Sequence, residues 1–236
     1  MKSMRGPFWL TDEIVFPHPS LANRDGLLAL GGDLSPERLL TAYACGIFPW
    51  YEDQSPILWW SPDPRFVIYP EELHVGRTLR QRIRSGRFEV RFDTAFEAVV
   101  RACAATPRRG SRGTWITEEM VQAYCTLHEL GLAHSAESWR DGELVGGLYG
   151  VSMGSAYFGE SMFFREADAS KVAFVTLVRR MQSWGIGLVD CQMPTKHLSR
   201  FGARNIPRAD FLAELSERLD DPTVRGVWRD APLSND

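Results

Sequence analysis

The segment GLVDCQM, residues 187–193, carries two polar side chains on one face of a predicted strand. Successive side chains of a strand point to opposite faces, so Asp190 and Gln192 are expected side by side. The rest of the segment is apolar, and a buried carboxylate is costly unless it is hydrogen-bonded or used. Two interpretations remain open: an aspartate that accepts hydrogen bonds from the following loop, and a polar pair that orients and deprotonates an amine in a cleft.

Glu160 is a second acid in apolar surroundings, within YFGESMFF, residues 157–164. A carboxylate among aromatic side chains needs hydrogen-bond donors or a cationic partner. It is therefore expected either to cap a turn or to hold a cationic amine or a ribose hydroxyl at the edge of an apolar pocket.

The stretch GIFPWYEDQSPILWWSPDPR, residues 46–65, is rich in both aromatic residues and prolines. Four prolines make it unsuitable for a helix or a central strand. Rings on a stiff, irregular segment, among them Trp50, can form a wall against which a flat group stacks. Trp115, in GTWIT, precedes a predicted helix whose free N–H groups suit a phosphate; a place in the core is the alternative for this side chain.

Arginine is concentrated in one part of the chain, although the formal net charge is −3. Between residues 77 and 112, ten arginines stand against three acidic residues, a local charge of +7. Such asymmetry is typical of a surface that binds a polyanion, and a solvated helix face is the alternative. The candidates for contact with nucleic-acid phosphates are Arg77, Arg80, Arg84 and Arg87.

The elements around these residues predict an α+β (mixed α/β) protein with two parts. Residues 1–65 contain one clear helix, which Ser35 caps and Pro36 begins, and otherwise turns. Residues 66–236 contain a strand, a basic helix, a second strand and a helix that the capping box Thr94–Glu97 opens. An antiparallel meander, a helix over about 170–184, the strand of Asp190 and two further helices follow.

Signals of several other classes are missing from the sequence. No dinucleotide-binding, P-loop or nucleophile-elbow motif occurs, and the five histidines and four cysteines show no metal-ligand spacing. We therefore expect neither a cofactor nor a metal. No signal peptide or membrane-spanning run is found, which favours a cytoplasmic protein without membrane contact, and we expect a monomer.

Several segments together resemble one protein family. They include GLLALGGDLSPERLLTAYACGIFPWY, PILWWSPDPR, GTWIT, ELVGGLYGVSMG, GESMF, ASKVAF and LVDCQ. The chain resembles the bacterial leucyl/phenylalanyl-tRNA–protein transferases from about Phe16 to Trp228. The resemblance implies a small N-terminal domain and a larger domain of the acetyltransferase (GNAT-like) fold. It also implies that leucine or phenylalanine moves from aminoacyl-tRNA to the N-terminal arginine or lysine of a protein, which marks that protein for proteolysis.

The resemblance assigns roles to residues already singled out. Asp190 and Gln192 match the pair that activates the amine, whereas Glu160, Trp50 and Trp115 match residues around the aminoacyl-adenosine end. The expected side-chain pocket also includes Leu148, Tyr157, Gly159, Leu177 and Met181. Leu148, Leu177 and Met181 stand where methionine or phenylalanine is expected, which leaves the order of preference among leucine, phenylalanine and methionine open.

The chemistry of aminolysis agrees with these residues. Aminoacyl-tRNA is an activated ester, so the reaction needs positioning, desolvation and removal of one proton from the amine. Asp190 acts either as the base or as a partner for the cationic side chain of the acceptor. Two rivals are an acyl-CoA-dependent N-acetyltransferase, whose pyrophosphate-loop motif is absent, and a non-catalytic RNA-binding module, which has no use for an inward acid–amide pair.

Overall fold

The computed structural model of the protein describes residues 6–106 and 116–228. The first part of the chain forms a small four-stranded sheet with the strand order β1-β2-β4-β3. β1 pairs with β2 in parallel and the other neighbours are antiparallel. Its strands are β1 (Phe8–Trp9), β2 (Leu27–Leu30), β3 (Phe48–Pro49) and β4 (Leu58–Trp60).

The helix α1 (Pro36–Ala44) lies between β2 and β3 and begins as predicted. Oγ of Ser35 accepts a hydrogen bond from the backbone N–H of Arg38, and Pro36 occupies the first turn. Leu39 and Tyr43 are fully buried. The apolar stripe of α1 therefore packs into the core of the protein.

A seven-stranded sheet forms the second part, with the order β11-β5-β10-β9-β8-β7-β6. All neighbours are antiparallel except β9 and β10, which are parallel. The strands are β5 (Arg65–Ile68), β6 (Glu89–Phe92), β7 (Ala133–Arg140), β8 (Glu143–Met153), β9 (Ala156–Phe164), β10 (Leu188–Asp190) and β11 (Arg204–Ile206). The meander β7-β8-β9 was predicted, whereas β11 was not.

Six helices of the described residues follow or cover this sheet: α2 (Arg77–Arg84), α3 (Phe96–Ala104), α4 (Glu118–Glu129), α5 (Ala169–Ser183), α6 (Lys196–Ser199) and α7 (Arg208–Leu219). Together with the two sheets they make a mixed α/β protein, as predicted. No helix within the described ranges combines the length and apolar character needed to cross a membrane.

One hydrophobic core joins the two sheets. Trp59 of β4 and Tyr43 of α1 belong to the same buried cluster as Tyr124 of α4 and Phe158 of β9. The chain passes from the small sheet to the large one between Trp60 and Arg65. The domain division at residue 65 stays a prediction, because the apolar packing is continuous across it.

The predicted capping box at the start of α3 is wrong. Ala95, not Thr94, is the N-cap residue, and no side chain of the helix caps it. The buried carboxylate of Glu137, on β7, instead accepts hydrogen bonds from the N–H groups of Thr94 and Ala95, at 2.9 and 2.8 Å, and from the Thr94 hydroxyl. The Ser135 hydroxyl and the Trp139 indole donate to the same carboxylate.

We therefore expect Glu137→Gln to lower the free energy of unfolding by at least about 2 kcal/mol, since an amide cannot accept from so many donors. Chemical denaturation of the purified variant measures this change. The control is Glu97→Gln, which removes an exposed i,i+4 pair with Arg101 and should cost less than about 0.5 kcal/mol. An equal cost for the two variants would contradict the assignment of Glu137 as the anchor of this helix.

Candidate active site

A cavity opens in the large sheet where the parallel strands β9 and β10 cease to pair. The last paired residues of β9 and β10 are Phe158 and Asp190. β9 continues to Phe164, whereas β10 stops and the chain turns at Gln192, which has a positive φ of 62°. The two strands thus separate and leave a cavity of about 730 Å³ that α5 and the segment after β10 also line.

The predicted side-chain pocket forms the apolar part of this cavity. Leu148 of β8, Tyr157 of β9, and Leu177 and Met181 of α5 are buried and line it, as does Gly159. Leu177 and Met181 are four residues apart and therefore lie on one face of α5. The structure brings all five predicted pocket residues together around a space that suits an apolar side chain.

Glu160 lies at the polar side of the cavity, only 8% exposed, inside a network of hydrogen bonds. Its Oε1 lies 2.8 Å from the hydroxyl of Tyr43 and accepts from Nε2 of Gln192 at 2.8 Å. Its Oε2 lies 2.7 Å from the hydroxyl of Tyr124, and the two tyrosine hydroxyls are themselves 2.7 Å apart. The network joins α1, α4 and the segment after β10 at one carboxyl group of β9.

The number of protons in this network depends on Glu160. Three short oxygen–oxygen contacts join Glu160, Tyr43 and Tyr124, and the hydroxyls supply two protons, because burial and the nearby charge of Glu160 raise the pKa of both tyrosines. Burial raises the pKa of Glu160 to about 7, although hydrogen bonds from Tyr124, Tyr43 and Gln192 favour its ionised form. A protonated Glu160 supplies the third proton, so all three contacts become hydrogen bonds.

Gln192 presents its carboxamide to the cavity in a defined orientation. Nε2 donates to Glu160, so the amide oxygen Oε1 is the atom left to accept a hydrogen bond from a molecule in the cavity. The backbone N–H of Gln192 donates to Oδ1 of Asp190 at 2.9 Å. Gln192 is therefore held at its backbone by Asp190 and at its carboxamide by Glu160.

Asp190 itself does not line the cavity. Its carboxylate is fully buried and accepts two hydrogen bonds from Arg65, from Nε to Oδ1 at 2.8 Å and from Nη2 to Oδ2 at 2.6 Å. β10 ends at Asp190, and the left-handed turn at Gln192 breaks the alternation on which the prediction of a common face rested. The two residues are in contact, but they face different surroundings.

The aromatic loop contributes partly to the site. Trp50 is 40% exposed at the edge of the cavity, and its ring lies 5.8 Å from that of Trp60 in a tilted arrangement. Trp59 and Tyr51 are buried core residues instead. Trp115 lies outside the described residues.

The described part of the basic stretch, residues 77–106, contains both free and paired arginines, whereas Arg108, Arg109 and Arg112 lie outside the described residues. Arg77, Arg80 and Arg84 of α2 are exposed, and none has an ion pair to a described residue. Arg87 is paired with Glu166 at 3.0 Å. Arg82 lies 3.8 Å from Asp168, which lines the cavity, so α2 runs beside the cavity entrance.

One group of possible metal ligands occurs among the described residues. Atoms of Asp93, His128 and His134 lie within 4.8 Å of one another. However, Asp93 lies 2.9 Å from Nδ1 of His134 and accepts from the N–H of Trp228 at 2.8 Å, and Nδ1 of His128 lies 2.7 Å from the carbonyl of Ala133. The Nδ1 atoms of both histidines and the Asp93 carboxylate are thus already hydrogen-bonded, and the His134 ring stacks on Trp228 at 3.8 Å. The group holds the C-terminal segment against β7.

The sequence is similar to those of known proteins over nearly its whole length. The sequence profile of the leucyl/phenylalanyl-tRNA protein transferase family matches residues 67–216, and that of its N-terminal domain matches 32–63. The leucyl/phenylalanyl-tRNA–protein transferase of Myxococcus xanthus (strain DK1622) is 59% identical over 97% of this chain and 98% of its own. The chain belongs to the leucyl/phenylalanyl-tRNA protein transferase family. A second relative, from Anaeromyxobacter sp. (strain Fw109-5), is 62% identical over 93% of each chain.

Membership of the leucyl/phenylalanyl-tRNA protein transferase family confirms the family and the enzyme class predicted from the sequence. The predicted GNAT-like fold of the larger domain is not supported in the same way by similar solved structures. A functionally unknown conserved protein from Staphylococcus epidermidis ATCC 12228 aligns with a TM-score of 0.43 at 9% identity, covering 77% of this chain and 68% of that one. That similarity is too low to assign a fold family, so the GNAT-like larger domain stays a prediction.

Three residues of the site were missed in the sequence. Tyr43 lies on the apolar stripe of α1 and was assigned to the core, and Tyr124 lies within a helix of similar pattern. Arg65 opens a short apolar strand directly after PDP, and an arginine at a buried position is itself a signal, since a buried charge needs a partner. The sequence offers no indication of which residue that partner is.

The raised pKa of Glu160 predicts a pH dependence of stability. Because its folded pKa of about 7 exceeds the ordinary value of 4.5, the folded state binds more protons between these limits. The contribution of Glu160 to stability should therefore fall as pH rises from about 4.5 to 7, by on the order of 2–3 kcal/mol. Glu160→Gln, which does not titrate, should remove this fall in a denaturation series. Glu143→Gln, at an exposed position, should keep it; the same slope in wild type and Glu160→Gln would refute the assignment.

Proposed function

We propose that this chain moves a leucyl or phenylalanyl group from the 3′ end of aminoacyl-tRNA to the α-amino group of an N-terminal arginine or lysine of a protein. The observation that carries the proposal is the position of Gln192 and Glu160 at the polar side of an apolar cavity whose edge is Trp50. This combination matches a ligand with an apolar side chain, a reactive ester and a flat base. The separation of β9 from β10 also supports a GNAT-like larger domain.

In this proposal the donor lies across the cavity. The leucyl or phenylalanyl side chain enters the pocket lined by Leu148, Leu177 and Met181, where its apolar surface leaves water. The terminal adenosine stacks on Trp50, and the phosphates of the acceptor stem contact α2. Glu160 then lies beside the ester and its ribose, where it holds a hydroxyl or an amine.

The acceptor amine attacks the carbonyl carbon of the ester. A C–N bond forms and the bond from the carbonyl carbon to the ribose oxygen breaks. Overall, the amine loses one proton and the ribose oxygen gains one, which restores the ribose hydroxyl. Oε1 of Gln192 accepts a hydrogen bond from the amine and so directs its lone pair toward the carbonyl. An α-amino group with a pKa of about 7.7–8.0 is partly neutral near pH 7, so little further activation is required.

Asp190 acts through Gln192 in this proposal. Both of its oxygens are held by Arg65, and Oδ1 also holds the backbone of Gln192, which supports an indirect role over direct contact with the acceptor. The alternative is that Asp190 recognises the arginine or lysine side chain of the acceptor. The product carries an N-terminal leucine or phenylalanine, which we propose serves as a degradation signal, and the protein acts as a cytoplasmic monomer.

The decisive experiment is transfer of labelled leucine from leucyl-tRNA to a peptide that begins with arginine. We expect transfer without an added cofactor, and none to the same peptide with its amine acetylated. The same assay with acetyl-CoA as the donor tests the rival function, because an N-acetyltransferase would acetylate the peptide. Binding of leucyl-tRNA without transfer would favour the rival RNA-binding module.

Removal of the Trp50 ring should weaken use of the donor. Stacking of a base on an aromatic side chain is worth about 1–3 kcal/mol, so transfer by Trp50→Ala should fall roughly 5- to 150-fold. The matched control is Trp9→Ala, which removes a ring that is 71% exposed on β1 and does not line the cavity. Wild-type binding of an aminoacyl-adenosine analogue by folded Trp50→Ala would rule out the stacking role.

The free arginines of α2 should dominate the salt dependence of tRNA binding. Replacement of Arg77, Arg80 and Arg84 by Gln should reduce the slope of log K against log salt by about 2–3, because each phosphate contact releases counterions. The control is Arg91→Gln with Arg101→Gln, since both of these guanidinium groups are paired with glutamates. A slope unchanged by the triple substitution would locate the tRNA on another surface.

The polar pair should affect turnover more than binding. We expect Asp190→Asn and Gln192→Ala each to lower kcat by at least about 10²-fold while tRNA affinity stays near that of wild type, and the double variant to be less than additive. Steady-state kinetics with both substrates varied separates the alternatives. A raised acceptor KM with little loss of kcat in Asp190→Asn would favour acceptor recognition, and wild-type kinetics in both variants would leave the pair a structural role only.

A further inference from the structure

Arg65 is a fully buried arginine at the first position of β5. Two of its nitrogens donate to the two oxygens of Asp190, at 2.8 and 2.6 Å, and Nη1 donates to the carbonyl of Gly46 at 3.0 Å. A guanidinium presents its donors in a planar fork that matches a carboxylate at two points. This geometry gives the carboxylate of Asp190 a single orientation.

Two aromatic rings also fix the guanidinium. Its central carbon lies 4.8 Å from the ring centre of Phe48 and 4.7 Å from that of Phe211. Gly46 and Phe48 belong to the small-sheet part of the chain, whereas Phe211 belongs to α7. Because groups from three separate parts of the chain hold Arg65, its position is set by the whole fold and not by β5 alone.

The oxygen Oδ1 of Asp190 connects Arg65 to Gln192. Oδ1 accepts from Nε of Arg65 and from the backbone N–H of Gln192, at 2.8 and 2.9 Å. Gln192 has a φ of 62°, a left-handed conformation that residues other than glycine rarely adopt without support. The hydrogen bond to Asp190 supplies that support at the turn from which the carboxamide of Gln192 enters the cavity.

We infer that Arg65 is a positioning residue of the transfer reaction. It fixes Asp190, and Asp190 fixes the backbone turn that brings Oε1 of Gln192 to the attacking amine. Arg65 is not among the residues that line the cavity, so it acts only through these two residues. The inference rests on the proposed function, in which Gln192 contacts the amine.

The test is Arg65→Lys in two backgrounds, wild type and Gln192→Ala. Lysine keeps the charge but not the planar fork, and a displacement of about 1 Å at a reacting group costs about 10²-fold in rate. We expect kcat with leucyl-tRNA and an Arg-initiated peptide to fall about 10- to 100-fold, with both KM values within about 3-fold of wild type. In the Gln192→Ala background the same substitution should change kcat less than about 2-fold, because the side chain to be positioned is gone.

Arg38→Lys is the matched control. Arg38 is also fully buried, and its guanidinium donates to the carbonyl oxygens of Thr11, Asp12 and Glu13 within the small-sheet part, away from the cavity. Loss of its fork should lower Tm while kcat stays near the wild-type value. A fall in kcat for Arg38→Lys as large as that for Arg65→Lys would show that any buried arginine has this effect, which overturns the inference.

Should Arg65→Lys fail to fold, Phe211→Leu loosens the guanidinium while both charges and an apolar side chain remain. A kcat loss that disappears in the Gln192→Ala background supports the inference, and an equal loss in both backgrounds overturns it. The failures of the two proposals are distinguishable. If Gln192→Ala has the wild-type kcat, the proposed role of Gln192 is refuted. If Gln192→Ala has a lowered kcat but Arg65→Lys has the wild-type kcat, only the role of Arg65 is refuted.

Discussion

The buried ion pair between Arg65 and Asp190 is the interaction on which fold and site both depend. Two charges taken out of water are favourable only where the geometry is good and the remaining donors are satisfied. Here the carbonyl of Gly46 accepts from a third nitrogen of Arg65, and the rings of Phe48 and Phe211 lie within 5 Å of the guanidinium carbon, at 4.8 and 4.7 Å. Loss of one partner would leave the other charge buried, at a cost of about 3–5 kcal/mol. The small sheet, β10 and α7 are thereby held in one arrangement.

The cavity follows from the topology of the large sheet. A continuous antiparallel sheet has no gap between neighbouring strands, but β9 and β10 are parallel and part after three paired residues. Apolar side chains of β8, β9 and α5 line the deep part of the resulting space, and the polar groups gather where β10 ends. Glu160 links these polar groups to Tyr43 and Tyr124 through hydrogen bonds.

Local patterns predicted the parts of the protein whose causes are local. The predicted antiparallel meander forms as β7, β8 and β9, and the helix predicted over about 170–184 forms as α5. The local sequence pattern gave a wrong prediction where a residue distant in the sequence replaces a local hydrogen-bond partner. Glu137 takes the place predicted for Glu97 at the start of α3. The N–H groups of Thr94 and Ala95 already donate to the buried carboxylate of Glu137, so they do not need the solvent-exposed carboxylate of Glu97 as an acceptor.

The sequence by itself determined the family, the mixed α/β class and several of the residues that line the cavity, because sequence motifs and apolar periodicity are properties of short segments. The tertiary structure decided which way the polar groups face. Arg65 meets Asp190 across 125 positions, and Tyr43 meets Glu160 across 117. No periodic signal connects residues so far apart, since only the packing of the two sheets on one core brings them within hydrogen-bonding distance.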